Sequence, residues 1–212
     1  MKGRKNSPLW RARIVLGASL MISLGYTTIR HNLLGEVPWS LLPLYTLNKA
    51  LAWSGLNLLA FTFLLRWIVK QGFLKTDWLD SRKHLGKQAF NLLLLHALLT
   101  VMLFRTEYGI RFVWIDEHIR IEGISSIILG SAALAVLAWY HKQASVPGLK
   151  SVLFSKAPLF LLTVAILHPA LWGWTEWWKP ADWSGHLPPA SIFSSLTALT
   201  AFLLLIFRHL KK

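Results

Sequence analysis

Residues 82–104 read RKHLGKQAFNLLLLHALLTVMLF: a basic head runs into an almost unbroken apolar stretch, with His96 inside it. Crossing about 30 Å of hydrocarbon takes roughly 20 mainly apolar residues in a helix, and this stretch meets that length. Five more segments repeat the pattern, so the spans are about 12–29, 47–66, 88–105, 123–141, 157–173 and 189–207. The chain of 212 residues is 54% hydrophobic and only 15% charged, with a mean hydropathy of +0.46. A soluble domain usually carries about 25% charge. The class is therefore an all-α integral membrane protein, a six-transmembrane-helix bundle that forms a single membrane domain over 1–212. The first span is the weakest, since it holds Gly17, Ser19, Ser23 and Gly25. Its basic head also fits a signal peptide, but its length and the lack of an A-x-A-like site favour an uncleaved first helix.

Charge sets the orientation. With the N-terminus in the cytoplasm, the pieces 1–13, 66–87, 142–156 and 208–212 carry 17 Lys/Arg, whereas the outer loops hold six: Arg30, Lys49, Arg105, Arg111, Arg120 and Lys179. Positive residues stay inside, so both termini are expected in the cytoplasm. The net charge of +14 does not indicate nucleic acid. Such binding needs a folded basic patch, and these residues come in short groups between apolar runs. With no cysteine, disulfides, thiolate metal sites and Cys nucleophiles are excluded.

The outer side is rich in tryptophan. Trp172, Trp174, Trp177, Trp178 and Trp183 fall around the Trp/Pro-rich outer loop 174–188, with Trp114 in the preceding outer loop. An aromatic belt at headgroup level explains them. A docking surface for an outer-face partner, spanning Trp172–Trp183, explains them as well.

Of eight histidines, His31, His84, His118, His141, His186 and His209 fall at or near predicted helix ends. His96 and His168 lie deep, about ten and twelve residues into spans three and five. Both spans run from cytoplasm to outside, so a rise of 1.5 Å per residue puts the rings at similar depths. An intramembrane ionisable residue points to a functional site when a partner can be named. Each histidine supplies the other's. A neutral imidazole is a common metal ligand, and haem iron accepts one on each face. Hydrogen bonding to neighbouring helices accounts for such histidines equally well, and position alone leaves both readings open. All nine acids lie outside the hydrocarbon, which disfavours a catalytic zinc site and an ion-coupled transporter. Asn91 and Thr163, five residues before each histidine, fall on other helix faces and read as packing residues. Pro169 frees a carbonyl near Ala165, and the resulting bend would aim His168.

With Arg82, Leu85, Gly86 and His96 in place, the third span resembles that of the ferric reductase-like transmembrane family. In particular it is similar to the haem-binding membrane subunit of bacterial periplasmic methionine-sulfoxide reductase systems. VPGLKSVLFSKAPLFLLTVAILHPALW, with His168 followed by Leu171 and Trp172, resembles the fifth span of that family. The likeness covers roughly residues 47–173. It implies haem b held by His96 and His168 as metal ligands, in a multi-pass protein of the bacterial inner (cytoplasmic) membrane. Ser155 stands where relatives carry a second histidine on span five, so the resemblance implies one haem, toward the outer leaflet. The expected function is a membrane electron-transfer subunit rather than a complete enzyme. It would pass electrons from a quinol or a cytoplasmic flavin reductase to an outer-face redox partner. The alternative is a non-catalytic structural or accessory subunit of a larger membrane complex. No G-x-G-x-x-G dinucleotide motif is present.

Overall fold

A computed structural model describes residues 7–106, 114–115, 118–143 and 152–210. Six long helices dominate: α1 (Pro8–Thr28), α2 (Leu47–Lys70), α3 (Arg82–Leu103), α4 (Ile121–Gln143), α5 (Val152–Trp177) and α6 (Ala190–Leu210). The described residues contain six helices long and apolar enough to cross a membrane. A π-helical turn, Ile29–Leu33, prolongs α1, and short helical turns, Trp39–Leu41 and Leu42–Thr46, lead into α2. Thr76–Ser81 forms a 3-10 turn before α3. A two-residue antiparallel pair, β1 (Trp114–Ile115) with β2 (His118–Ile119), precedes α4. Six alternating helices put the start of α1 and the end of α6 at one end of the bundle, here the terminal end. The other is the distal end.

The distribution of side chains is that of a membrane bundle. Met21, Ile22, Leu98, Val101, Ile128, Leu203 and Phe207 are exposed, while Ser23, Thr27, Ser54, Ser126, Ser194 and Ser195 are buried. Lipid is as apolar as leucine, so nothing drives leucines inward, and small or hydroxyl-bearing residues let helices approach and bond. Ser54 donates to Ser19 across α2 and α1 at 2.9 Å. Gly55 serves close approach directly, because a Cβ there would lie 2.8 Å from the Leu93 side chain on α3.

Half of α2's apolar window is buried, against 17% for α1, α3 and α4, which makes α2 the most enclosed of the spans. It packs on α1, α3 and α6, while α5 packs between α4 and α6, and α3 meets α4. The five helices α2–α6 thus ring a common interior, with α1 outside against α2 and α3. At the terminal end Arg11 forms an ion pair with Asp77 and lies over the Trp78 ring. At the distal end the Tyr26 hydroxyl donates to the Pro188 carbonyl at 2.5 Å.

Element bounds exceed the apolar segments wherever hydrogen bonding outlasts hydrocarbon. α3 starts at Arg82, six residues before 88, because Leu85 and Ala89 are fully buried against the bundle. α5 runs on to Trp177, so Trp172, Trp174 and Trp177 are helical and the Trp-rich connection begins after them. Pro158 and Pro169 both sit inside a continuous α5, as neighbouring helices in a membrane bundle allow. Ser195 of α6 donates to the Ile166 carbonyl at 3.1 Å, beside the acceptor that Pro169 leaves free.

Candidate functional site

His96 on α3 and His168 on α5 meet across the bundle interior, with ring centroids 6.4 Å apart and planes at 78°. Helix positions put the two at one depth; the partners that fix their rotation come from α2 and α4. His96 Nδ1 lies 2.7 Å from Asn48 Oδ1 and 3.2 Å from the Asn48 carbonyl. The Asn48 amide is itself oriented. It donates to Thr100 Oγ1 at 3.0 Å, and the Thr100 hydroxyl donates to the His96 carbonyl at 2.9 Å. The only atom Asn48 can turn to His96 is therefore its oxygen. His168 Nδ1 lies 2.8 Å from the Ser126 carbonyl, and Ser126 Oγ is 3.0 Å from Nδ1 and 3.2 Å from the His168 carbonyl.

Carbonyl oxygens only accept, so each Nδ1 carries the proton and each Nε2 holds a lone pair. Neither Nε2 has a hydrogen-bond partner among the described residues. Two acceptors thus border one cavity, an arrangement that suits an electrophile. Carbonyl-oriented imidazoles are the usual setting of metal-bound histidine. Two imidazoles sharing a metal ion from opposite sides set their ring centres roughly 6 Å apart, counting two bonds of about 2 Å and the ring radii. The observed separation agrees. Among the described residues no group of three or more His, Cys, Asp or Glu could hold a metal, so a tetrahedral zinc site would lack ligands.

The cavity holding the pair has a volume of about 590 Å³, within the roughly 300–1,000 Å³ range of small-molecule sites. Its walls are mostly apolar and come from all five ring helices. They include Leu56 of α2, Leu93 and Ala97 of α3, Ile127 and Leu134 of α4, and Val164 of α5. Trp53, whose indole N–H is buried without a partner, also lines it. Gly130 permits the close approach of α4 to His168, since a Cβ there would lie 3.0 Å from His168 Cε1. The residues present fit a flat apolar group ligated from both faces.

His31 was expected at an interface. It is instead buried with Arg30, each only 6% exposed, because the π-helical turn Ile29–Leu33 directs both inward. Arg30 Nη1 lies 3.3 Å from His31 Nε2, the His31 ring sits edge-on to Tyr45, and both residues line the distal mouth of the cavity. His84 lies in the first turn of α3, far from the pair along the helix. His141 stacks on Phe90, and His186 is exposed in the distal connection. Asn91 is exposed and Thr163 donates to its own helix at Leu159, so neither approaches the histidines. The side chains of His118, His209, Trp114 and Ser155 lie outside the described residues. Of the distal tryptophans, Trp177 donates to Ser191 at 2.9 Å and Trp183 to the Glu176 carbonyl at 2.7 Å. Trp174 and Trp178 are exposed and meet edge to face.

No family model matches the chain, and no curated protein matches it in sequence.

Proposed function

We propose that this multi-pass membrane protein is a haem b-binding electron-transfer subunit of the ferric reductase-like type, in which His96 and His168 would hold one haem. The observation that carries this reading is the pair of imidazole rings with centroids 6.4 Å apart, each with its Nδ1 held by a carbonyl oxygen on a neighbouring helix so that Nε2 keeps its lone pair. Haem iron, when bound there, supplies one-electron redox chemistry.

The chain's own residues do the rest. Asn48 and Ser126 fix both tautomers and ring orientations, the Asn48–Thr100 link keeps the amide from turning over, and the apolar walls exclude water. His96 and His168, both on packed helices, would be taken up in holding the group. That favours electron transfer over ligand chemistry, and terminal chemistry would fall to a redox partner at the distal face. With the distal face outward, as the distribution of basic residues supports, the site lies toward the outer leaflet of the bacterial inner membrane. Electrons would arrive from a membrane quinol or a cytoplasmic flavin reductase. Toward the terminal end the interior is filled by packed side chains, Phe63 against Tyr140 and Phe90 against His141, which supports one such group rather than two.

The test is spectroscopic. The full-length protein, purified from haem-supplied cells, should show a reducible low-spin b-type spectrum with both axial positions taken by histidine. Protein that is colourless, and stays so when haem is added, would remove the reading and leave the accessory-subunit alternative.

A further inference from the structure

Among the described residues, three cations at the distal mouth of the cavity, Arg30, Lys49 and Arg120, share a single nearby carboxylate, that of Glu176, which lines the cavity with them. The Arg30 side chain is 8% exposed, and its one acidic neighbour, Glu176, is 4.0 Å away and itself 57% exposed. Lys49 Nζ lies 4.4 Å from the Tyr45 ring centre, and the Arg120 guanidinium lies 4.5 Å from that of Trp172. Among the described residues no carboxylate comes within 4.0 Å of Lys49 or Arg120. All three cations line the cavity that contains His96 and His168. Their level is defined too. Lys49 follows Asn48, the residue that holds His96, and Trp172 lies one turn, about 6 Å, beyond His168.

The nearly buried Arg30 guanidinium, with its one acid 4.0 Å away, carries a desolvation cost, and a bound group that brings its own anions offsets it. Arginine and lysine pair well with carboxylate, arginine through two parallel hydrogen bonds. Resting on the haem reading above, we propose that Arg30, Lys49 and Arg120 form a carboxylate-binding subsite that holds the acidic arms of the ligated group. The subsite points those arms to the distal face and fixes which way round the group enters.

The experiment titrates haem-depleted full-length protein with haem b and with its dimethyl ester, following the Soret band. Wild type should bind haem b about tenfold tighter or more than the ester, as expected from one charge-assisted hydrogen bond. In the Lys49→Gln/Arg120→Gln double variant that preference should fall toward unity while ester binding stays unchanged. These two residues are only partly buried, so folding is not expected to depend on them, and Arg30→Gln serves as a third, buried arm. Equal affinity of wild type for both compounds would overturn the subsite and leave the histidine ligation standing. So would a preference that survives in the double variant. A lipid phosphate held by the same cations gives that equal-affinity result. No Soret change with either compound overturns the ligation reading, and the subsite with it.

Discussion

Alanine at position 48 removes the closest acceptor of the His96 ring without touching a ligand. Wild-type Asn48 Oδ1 takes the Nδ1 proton at 2.7 Å, and its amide joins Thr100 at 3.0 Å. In Asn48→Ala the backbone carbonyl of residue 48, now at 3.2 Å, is the acceptor that remains. The imidazole keeps its tautomer but loses its shorter anchor, and the ring is freer to turn. Loss of such an orienting partner costs about 10–100-fold in metal affinity. With a second acceptor in reach, the lower end is expected, about tenfold, or ~1.4 kcal/mol. The fold should be little affected, because Thr100 still donates to the His96 carbonyl. The assay is Soret titration of haem-depleted Asn48→Ala beside wild type, with thermal unfolding of both haem-free proteins as the control for folding. Haem affinity within about twofold of wild type would refute the claim that Asn48 orients a ligand.

His96→Ala and His168→Ala should each lose haem in a pyridine haemochrome assay, whereas His84→Ala should retain it. The same assay should give close to one haem per chain, and two would demand an inner site. Gly130→Ala brings a methyl to 3.0 Å from His168 Cε1, so haem retention should weaken by about 1–3 kcal/mol, the usual cost of an overpacked contact. Gly130→Leu should abolish retention, and unchanged binding there would mean that α4 does not confine the ring. Reporter fusions at each terminus should both give cytoplasmic signals, and one outward signal would mean an odd number of spans.

The six spans are legible because twenty apolar residues in a row have few alternative uses. The pairing of His96 with His168 is legible because α3 and α5 run in the same direction, so counting residues measures depth. Asn48 and Ser126 are not. They lie on other helices, and choosing them requires knowing how each helix is rotated. α3, α4 and α5 are apolar nearly all round, so no polar face announces which side turns inward. One signal was available: Asn48 is a buried amide just inside a predicted span, where polar groups need partners. The sequence places His31 at a helix end and Arg30 in an outer loop, whereas the π-helical turn Ile29–Leu33 carries both as buried residues. The tryptophans divide by task. Trp177 and Trp183 hold the distal connection in place through their indole N–H groups. Trp174 and Trp178 remain exposed at the same end, available to headgroups or to a partner.

The distal tie between the first and last helices has a consequence for how the protein is made. Arg30 donates through Nε to the carbonyl of Leu187, 157 residues further along the chain, at 3.1 Å. Tyr26 reaches Pro188 in the same way. At a synthesis rate of about 5–20 residues per second, that partner emerges roughly ten to thirty seconds after the arginine. Until then the guanidinium lacks the carbonyl that accepts from it, and its cheapest resting place is the wet headgroup layer. The first helix therefore enters the bilayer before its distal end can dock, and the ring of helices closes only once the sixth has been translated. A nascent chain stopped before Ser184 has five spans translated and an Arg30 guanidinium still without the Leu187 carbonyl that holds it in the finished bundle.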